Sequence, residues 1–157
     1  MRYLTFATCA VLAACTLPAC GPTYRMDAPD GFVKYTKGHG DFAWTTADGV
    51  RVKARDVKNE PKAELPFWTD AAQRHLTARG YTKKAERCFT TRAGAKGCTL
   101  EWLVPRGNED WVFGVTIFVT GDRVTLVESA GPFARYVAVE AKLAKALETF
   151  EPGLYTP

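Results

Sequence analysis

The chain has 157 residues, with 21 Lys and Arg against 17 Asp and Glu, for a formal net charge of +4. That length suits one ordinary domain able to bury a core. Its basic residues are scattered, without runs or an interleaved aromatic–basic motif, so nucleic acid is not an expected partner.

The chain opens on Met1-Arg2 and then runs apolar from Tyr3 to about Ala14. A membrane-spanning helix needs about 20 such residues, so this shorter run reads as a secretory signal segment. Two windows behind it, "LAAC" at Leu12–Cys15 and "LPAC" at Leu17–Cys20, resemble the bacterial lipobox. The resemblance implies a thiol acylated with diacylglycerol, with cleavage just before that cysteine. Side chains favour Cys15, because Pro18 is unusual two residues before the acylated position. Parity favours Cys20, because cleavage at Cys15 would leave Cys20, Cys88 and Cys98, an odd number, in an oxidising compartment. We take Cys20, with Cys15 as the alternative; an ordinary cleaved signal peptide is the bland reading.

The expected division is a signal segment over 1–19, a tether over 20–30 with two prolines in "GPTYRMDAPD", and one domain over 31–157. The mature part keeps 138 residues, 20 of them basic and 17 acidic. The residue after either cysteine is Gly21 or Thr16 rather than Asp, which by resemblance to bacterial lipoproteins implies the periplasmic face of the outer membrane. Several acyl chains on one cysteine suffice for stable attachment, at about 0.8 kcal/mol per buried methylene.

"GFVKY" (Gly31–Tyr35) predicts a short strand, and "DFAWTTADGVRVKARDV" a hairpin turning at Asp48-Gly49. Pro66 suits the first turn of a helix over Leu65–Arg79, capped by Gly80 and burying Phe67 or Trp68 together with Ala71, Ala72 and Leu76. Four strands follow: Tyr81–Thr91, Cys98–Val104, Trp111–Thr120 and Arg123–Ser129. In the third, Trp111, Phe113, Val115, Ile117 and Val119 fill one face, as in a central strand under a helix. A closing helix starts at Pro132 and ends before Pro152-Gly153. Its stripe is Phe133, Tyr136, Val137, Leu143, Ala144, Leu147 and Phe150, with Glu140 at the edge.

The order strands, helix, meander, helix predicts an α+β fold, an antiparallel sheet of six to seven strands with two main helices. "DGF" leading a strand, a helix ending in "ARGY" and a last helix ending in "ETF" resemble the PsbP-like α/β/α sandwich. "TTADGV", "PFW" and "LVESAGP" resemble a family of small bacterial envelope lipoproteins of unknown function. The PsbP-like group consists mostly of binding and assembly factors, so the resemblance implies such a role without naming a ligand.

Cys88 and Cys98 each lie five residues from Ala93, the centre of the "AGAKG" turn, so they are expected to face each other and pair. Closing that loop is worth up to about 3 kcal/mol. His39 sits among loop glycines and His75 mid-helix, with no nucleophile motif beside either; Ser129 stands alone at a strand end. Glu109, Asp110 and Asp122 read as solvated turn residues, and Ser129–Phe133 as a helix start with room for an anion. No metal or other cofactor is expected. If no second helix covers their face, Leu100, Trp102 and Phe118 would form an exposed apolar partner patch; otherwise they are core. The composite expectation is a non-catalytic envelope module binding an unknown envelope protein. The alternative is a carrier of a small apolar molecule or lipid between sheet and helices, and a hydrolase is a distant third.

Overall fold

The computed structural model describes residues 24–34 and 42–153. The signal segment, Cys15, Cys20 and His39 lie outside them. The first elements are β1 (Tyr24–Arg25), β2 (Val33–Lys34), β3 (Phe42–Thr45), β4 (Arg51–Lys58) and α1 (Leu65–Ala78). Then come β5 (Thr82–Thr90), β6 (Lys96–Arg106), β7 (Glu109–Thr120), β8 (Arg123–Pro132), α2 (Phe133–Leu147) and β9 (Glu151–Pro152). Seven strands form one antiparallel sheet in the order β2-β3-β4-β8-β7-β6-β5, and β1 pairs with β9 apart from it.

Strand alternation decides which helix each residue meets. On β7, Val115 and Ile117 join Leu100, Trp102, Val124 and Leu76 of α1. Val112 and Phe118 point the other way, to Val52, Val127 and the α2 residues Tyr136, Leu143 and Leu147. The helices therefore cover opposite faces, and both faces of β7 are buried rather than the single face read from its odd-numbered residues. This also corrects the partner patch. Leu100 and Trp102 lie under α1, Phe118 lies on the α2 face, and all three are fully buried. Phe118 stacks on Phe150 at 3.8 Å between ring centroids.

The expected tether is shorter than its composition suggested. Tyr24 pairs with Pro152, is 1% exposed and stacks on Phe150 at 5.8 Å, while Met26 is buried beside it. These are the two large apolar side chains in an otherwise polar stretch, and their burial makes residues 24–30 part of the domain. The closing helix also stops early, at Leu147, and the chain turns so that Phe150 reaches the core. β8 runs on to Pro132, so Ser129–Pro132 is ladder, paired with β7 along its length, and not an open anion loop.

Trp68, not Phe67, is the inward aromatic of α1; Phe67 is 49% exposed. The reason is Asn59, a buried residue just past β4. Its side-chain oxygen accepts hydrogen bonds from Trp68 Nε1 at 2.8 Å and the Ala63 N–H at 3.1 Å. Its Nδ2 donates to the carbonyls of Ala63 and Gly121, both at 3.0 Å. One amide thus ties the start of α1 to the β7–β8 turn. Cys88 and Cys98 pair in register with Cα atoms 4.0 Å apart, and their sulfurs are joined as a disulfide, linking edge strand β5 to β6.

Replacing Asn59 by Ala strands several buried backbone and indole groups, each costing about 1–3 kcal/mol if unsatisfied. Asn59→Ala is expected to lower stability by about 2–3 kcal/mol in urea denaturation with little change in m-value. A loss under about 0.5 kcal/mol, the range of ordinary surface changes, would show that water replaces the amide.

Candidate functional site

One row of residues crosses the sheet on the α2 face: Ala85 of β5, Glu101 of β6, Gly114 of β7, Ser129 of β8 and Val52 of β4. Gly114 is the low point of this row. A Cβ there would stand 2.6 Å from Ser129 Oγ and 2.7 Å from the Tyr136 hydroxyl, so the glycine makes room for Tyr136 to reach down from α2. The phenol donates to Glu101 Oε1 at 3.1 Å. Its one proton being used there, Ser129 donates to the phenol oxygen at 2.8 Å.

The other Glu101 oxygen accepts from Lys84 Nζ at 2.6 Å, and the same ammonium reaches both oxygens of Glu140 on α2 at 3.2 Å. A register shift between Lys83 and Ala85 inserts Lys84 as an extra residue in β5, which delivers its side chain to Glu101. Burial opposes the charge on Lys84. The hydrogen bond and charge of Glu101, helped by Glu140, outweigh it, so the ammonium pKa is raised. Burial pushes the Tyr136 phenol well above the ordinary tyrosine range, and the Glu101 charge adds to the rise.

Between this polar row and α2 lies a cavity of about 660 Å3. Met26, Val52, Val127, Leu143 and Leu147 give it apolar walls; Glu101, Tyr136 and Ser129 form a polar floor. Arg87, Val137 and Glu140 stand along one side. Its size falls in the range of clefts that take one small molecule, about 300–1,000 Å3. Val137 and Phe133, expected inside the helix stripe, are 46% and 42% exposed on α2.

Lys84 is fixed as ammonium and Tyr136 as phenol, the opposite of what a base near neutral pH requires. Ser129 meets a phenol instead of an imidazole. His75 is exposed on α1, across the sheet from Ser129, so the structure does not bring them together. Glu109 and Asp110 are exposed at the β6–β7 turn and Asp122 at the opposite end, in the β7–β8 turn. Among the described residues, the trio Glu86, Cys88 and Cys98 has metal-ligand spacing, but its two sulfurs are bonded to each other. Sequence reasoning missed Glu101, Lys84 and Gly114. Glu101 sits between Leu100 and Trp102, and its polar interruption of an apolar strand was the available signal.

No family model and no curated protein matches the chain. Solved structures do. Cyanobacterial PsbP from Synechocystis sp. PCC 6803 superposes with a TM-score of 0.61 at 14% identity, over 83% of this chain and 86% of that one. LpqN, involved in cell envelope biogenesis of Mycobacterium tuberculosis, gives 0.61 at 10% identity, over 87% of each chain. A Pseudomonas aeruginosa protein of unknown function, a putative regulator, gives 0.51 at 12% identity, over 88% of this chain and 90% of that one. The chain has a PsbP-like α+β fold.

Both shifted groups set an alkaline limit on stability. Tyrosine in an unfolded chain ionises near pH ~10 and lysine near ~10.4, while both folded pKa values lie higher. The folded state then binds more protons above pH ~10, so their contribution is complete below that value and is lost as pH rises. Urea denaturation is expected to show stability falling above pH ~10, less steeply in Tyr136→Phe. Equal alkaline slopes in the two proteins would remove Tyr136 from this role.

Proposed function

We propose that the chain is a lipid-anchored, non-catalytic binding domain of the bacterial envelope, sheltering the apolar part of a small amphiphile beneath α2. The observation that carries this reading is the cavity itself, apolar on its walls and closed below by a fully hydrogen-bonded polar row. Such a combination binds and orients without reacting. Envelope location rests on the lipobox windows, with Cys20 as the acylated residue, Cys15 as the alternative and the periplasmic face of the outer membrane as the site. LpqN, which shares this fold and is involved in cell envelope biogenesis, supports it. Only three residues separate Cys20 from Tyr24, and the four chain steps reach at most about 14 Å, which holds the cavity near the bilayer surface.

An assembly role through protein docking has its own support in Phe133 and Val137, exposed four residues apart on one side of α2. Filling the cavity separates the two readings. A neutral apolar dye such as N-phenylnaphthylamine is expected to bind the full chain. Ala144→Trp, which places an indole in the cavity, should weaken it at least tenfold, and Ala141→Trp at the rim should do so less. Dye binding unchanged by both substitutions, with the fold retained, would place the ligand elsewhere and leave docking as the role.

The anchor is tested separately. Cys20→Ala is expected to abolish labelling with an acyl-chain probe and release the chain from membranes. Labelling that persists in Cys20→Ala but disappears in Cys15→Ala would move the anchor to Cys15.

A further inference from the structure

The polar groups around the cavity are not equally available to a newcomer. Both Glu101 oxygens already accept, one from Lys84 and one from Tyr136. Both Glu140 oxygens accept from Lys84, whose charge is shared between the two carboxylates. Lys83 pairs with Glu86 and Gln73, and Lys142 with Asp30. Arg87 differs. It lines the cavity, is exposed, and makes no ion pair among the described residues. Its guanidinium lies over the ring of Phe89, 5.2 Å from the centroid, and Phe89 is held edge-on against the buried Phe118. A guanidinium stacked on a fixed ring keeps its N–H fork open in the ring plane's direction, which suits a carboxylate.

We propose, on the cavity-binding reading above, that the ligand is a single-chain carboxylate amphiphile, a long-chain fatty acid. Its head group pairs with Arg87 and its tail lies beneath α2. Charge selects the head. One open cation matches one negative charge, and a doubly charged phosphate would carry its second charge beside Glu101 and Glu140. A cationic head would be repelled by Arg87 and would have to share Glu140 with Lys84. Volume selects the tail. A methylene fills about as much space as a water, about 30 Å3, so a chain of about 16 carbons takes roughly 480 Å3. That fits a cavity of about 660 Å3, and two such chains do not.

The test is displacement of the neutral dye from the full chain by dodecanoate, its methyl ester, dodecyl phosphate and dodecylamine, each below its micelle concentration. Dodecanoate is expected to displace the dye at least tenfold more tightly than the ester, and more tightly than the phosphate or the amine. Arg87→Gln should bring carboxylate and ester to parity, read as the ratio of the two within each variant so that any change in dye affinity cancels; Arg87→Lys should restore part of the preference. Equal displacement by acid and ester, a preference for phosphate or amine, or a carboxylate preference that survives Arg87→Gln would each overturn the assignment. If the dye does not bind at all, the cavity reading falls and this one falls with it. Dye binding without carboxylate preference defeats this proposal alone.

Discussion

Taking a carboxylate out of water is tolerable only where donors surround it, and Glu101 imposes that condition on three elements at once. It obliges β5 to bring Lys84 inward through a bulge, and α2 to bring Tyr136 down to the sheet. It also obliges β7 to leave a glycine beneath the phenol. Breaking such a pair by removing one partner costs about 3–5 kcal/mol, far more than an exposed ion pair contributes. The position of α2 over the sheet is therefore set by hydrogen bonds of fixed length as much as by the apolar stripe. An apolar contact tolerates sliding; a phenol wedged between Glu101 and Ser129 does not.

That constraint also explains why a cavity persists beside a well-packed core. At one end of α2, Leu143, Leu147 and Phe150 close on Val52, Val127 and Phe118 by ordinary side-chain packing. Nearer the middle, polar Glu101, Thr99 and Thr116 face the helix and interrupt the apolar surface it would need for close contact. Thr99 and Thr116 satisfy each other across β6 and β7 at 2.8 Å, so nothing draws α2 down onto them. On the opposite face, α1 sits directly on Leu100, Trp102, Val115 and Ile117.

Local pattern made the larger elements legible. Period-two alternation located β4 and β7, helical spacing located both helices, and equal distance from a turn located the Cys88–Cys98 pair. Glu140 was read at the edge of its stripe and stands there, joined to Lys84. What local pattern could not carry was pairing between distant segments. Ser129 and Glu101 share a site only because β4, β8, β7 and β6 are neighbours in that order. The same holds for β1 and β9, two residues each, too short for any periodicity, which meet beside the Tyr24–Phe150 stack. The bulge at Lys84 left no mark either, since an extra residue in a strand shifts register without changing composition. The patch read at Leu100, Trp102 and Phe118 failed for a related reason. Residues of like parity on adjacent antiparallel strands can share a face or oppose each other, and only the register decides.

Met26 and Pro29 line the cavity, yet they belong to the segment running back toward the N-terminus through Tyr24. The cavity is thus partly walled by the piece of chain that transmits any pull on that end. That segment is held by the two-residue ladder, the Tyr24–Phe150 stack, the Asp27 N–H bond to Thr149 and the Asp30–Lys142 ion pair. The wall at Met26 and Pro29 belongs to this segment, whereas the disulfide and the Glu101–Ser129 floor belong to the sheet. The binding space is thus shared between two parts of the fold, a floor built by the sheet and a wall lent by the segment that leads into it.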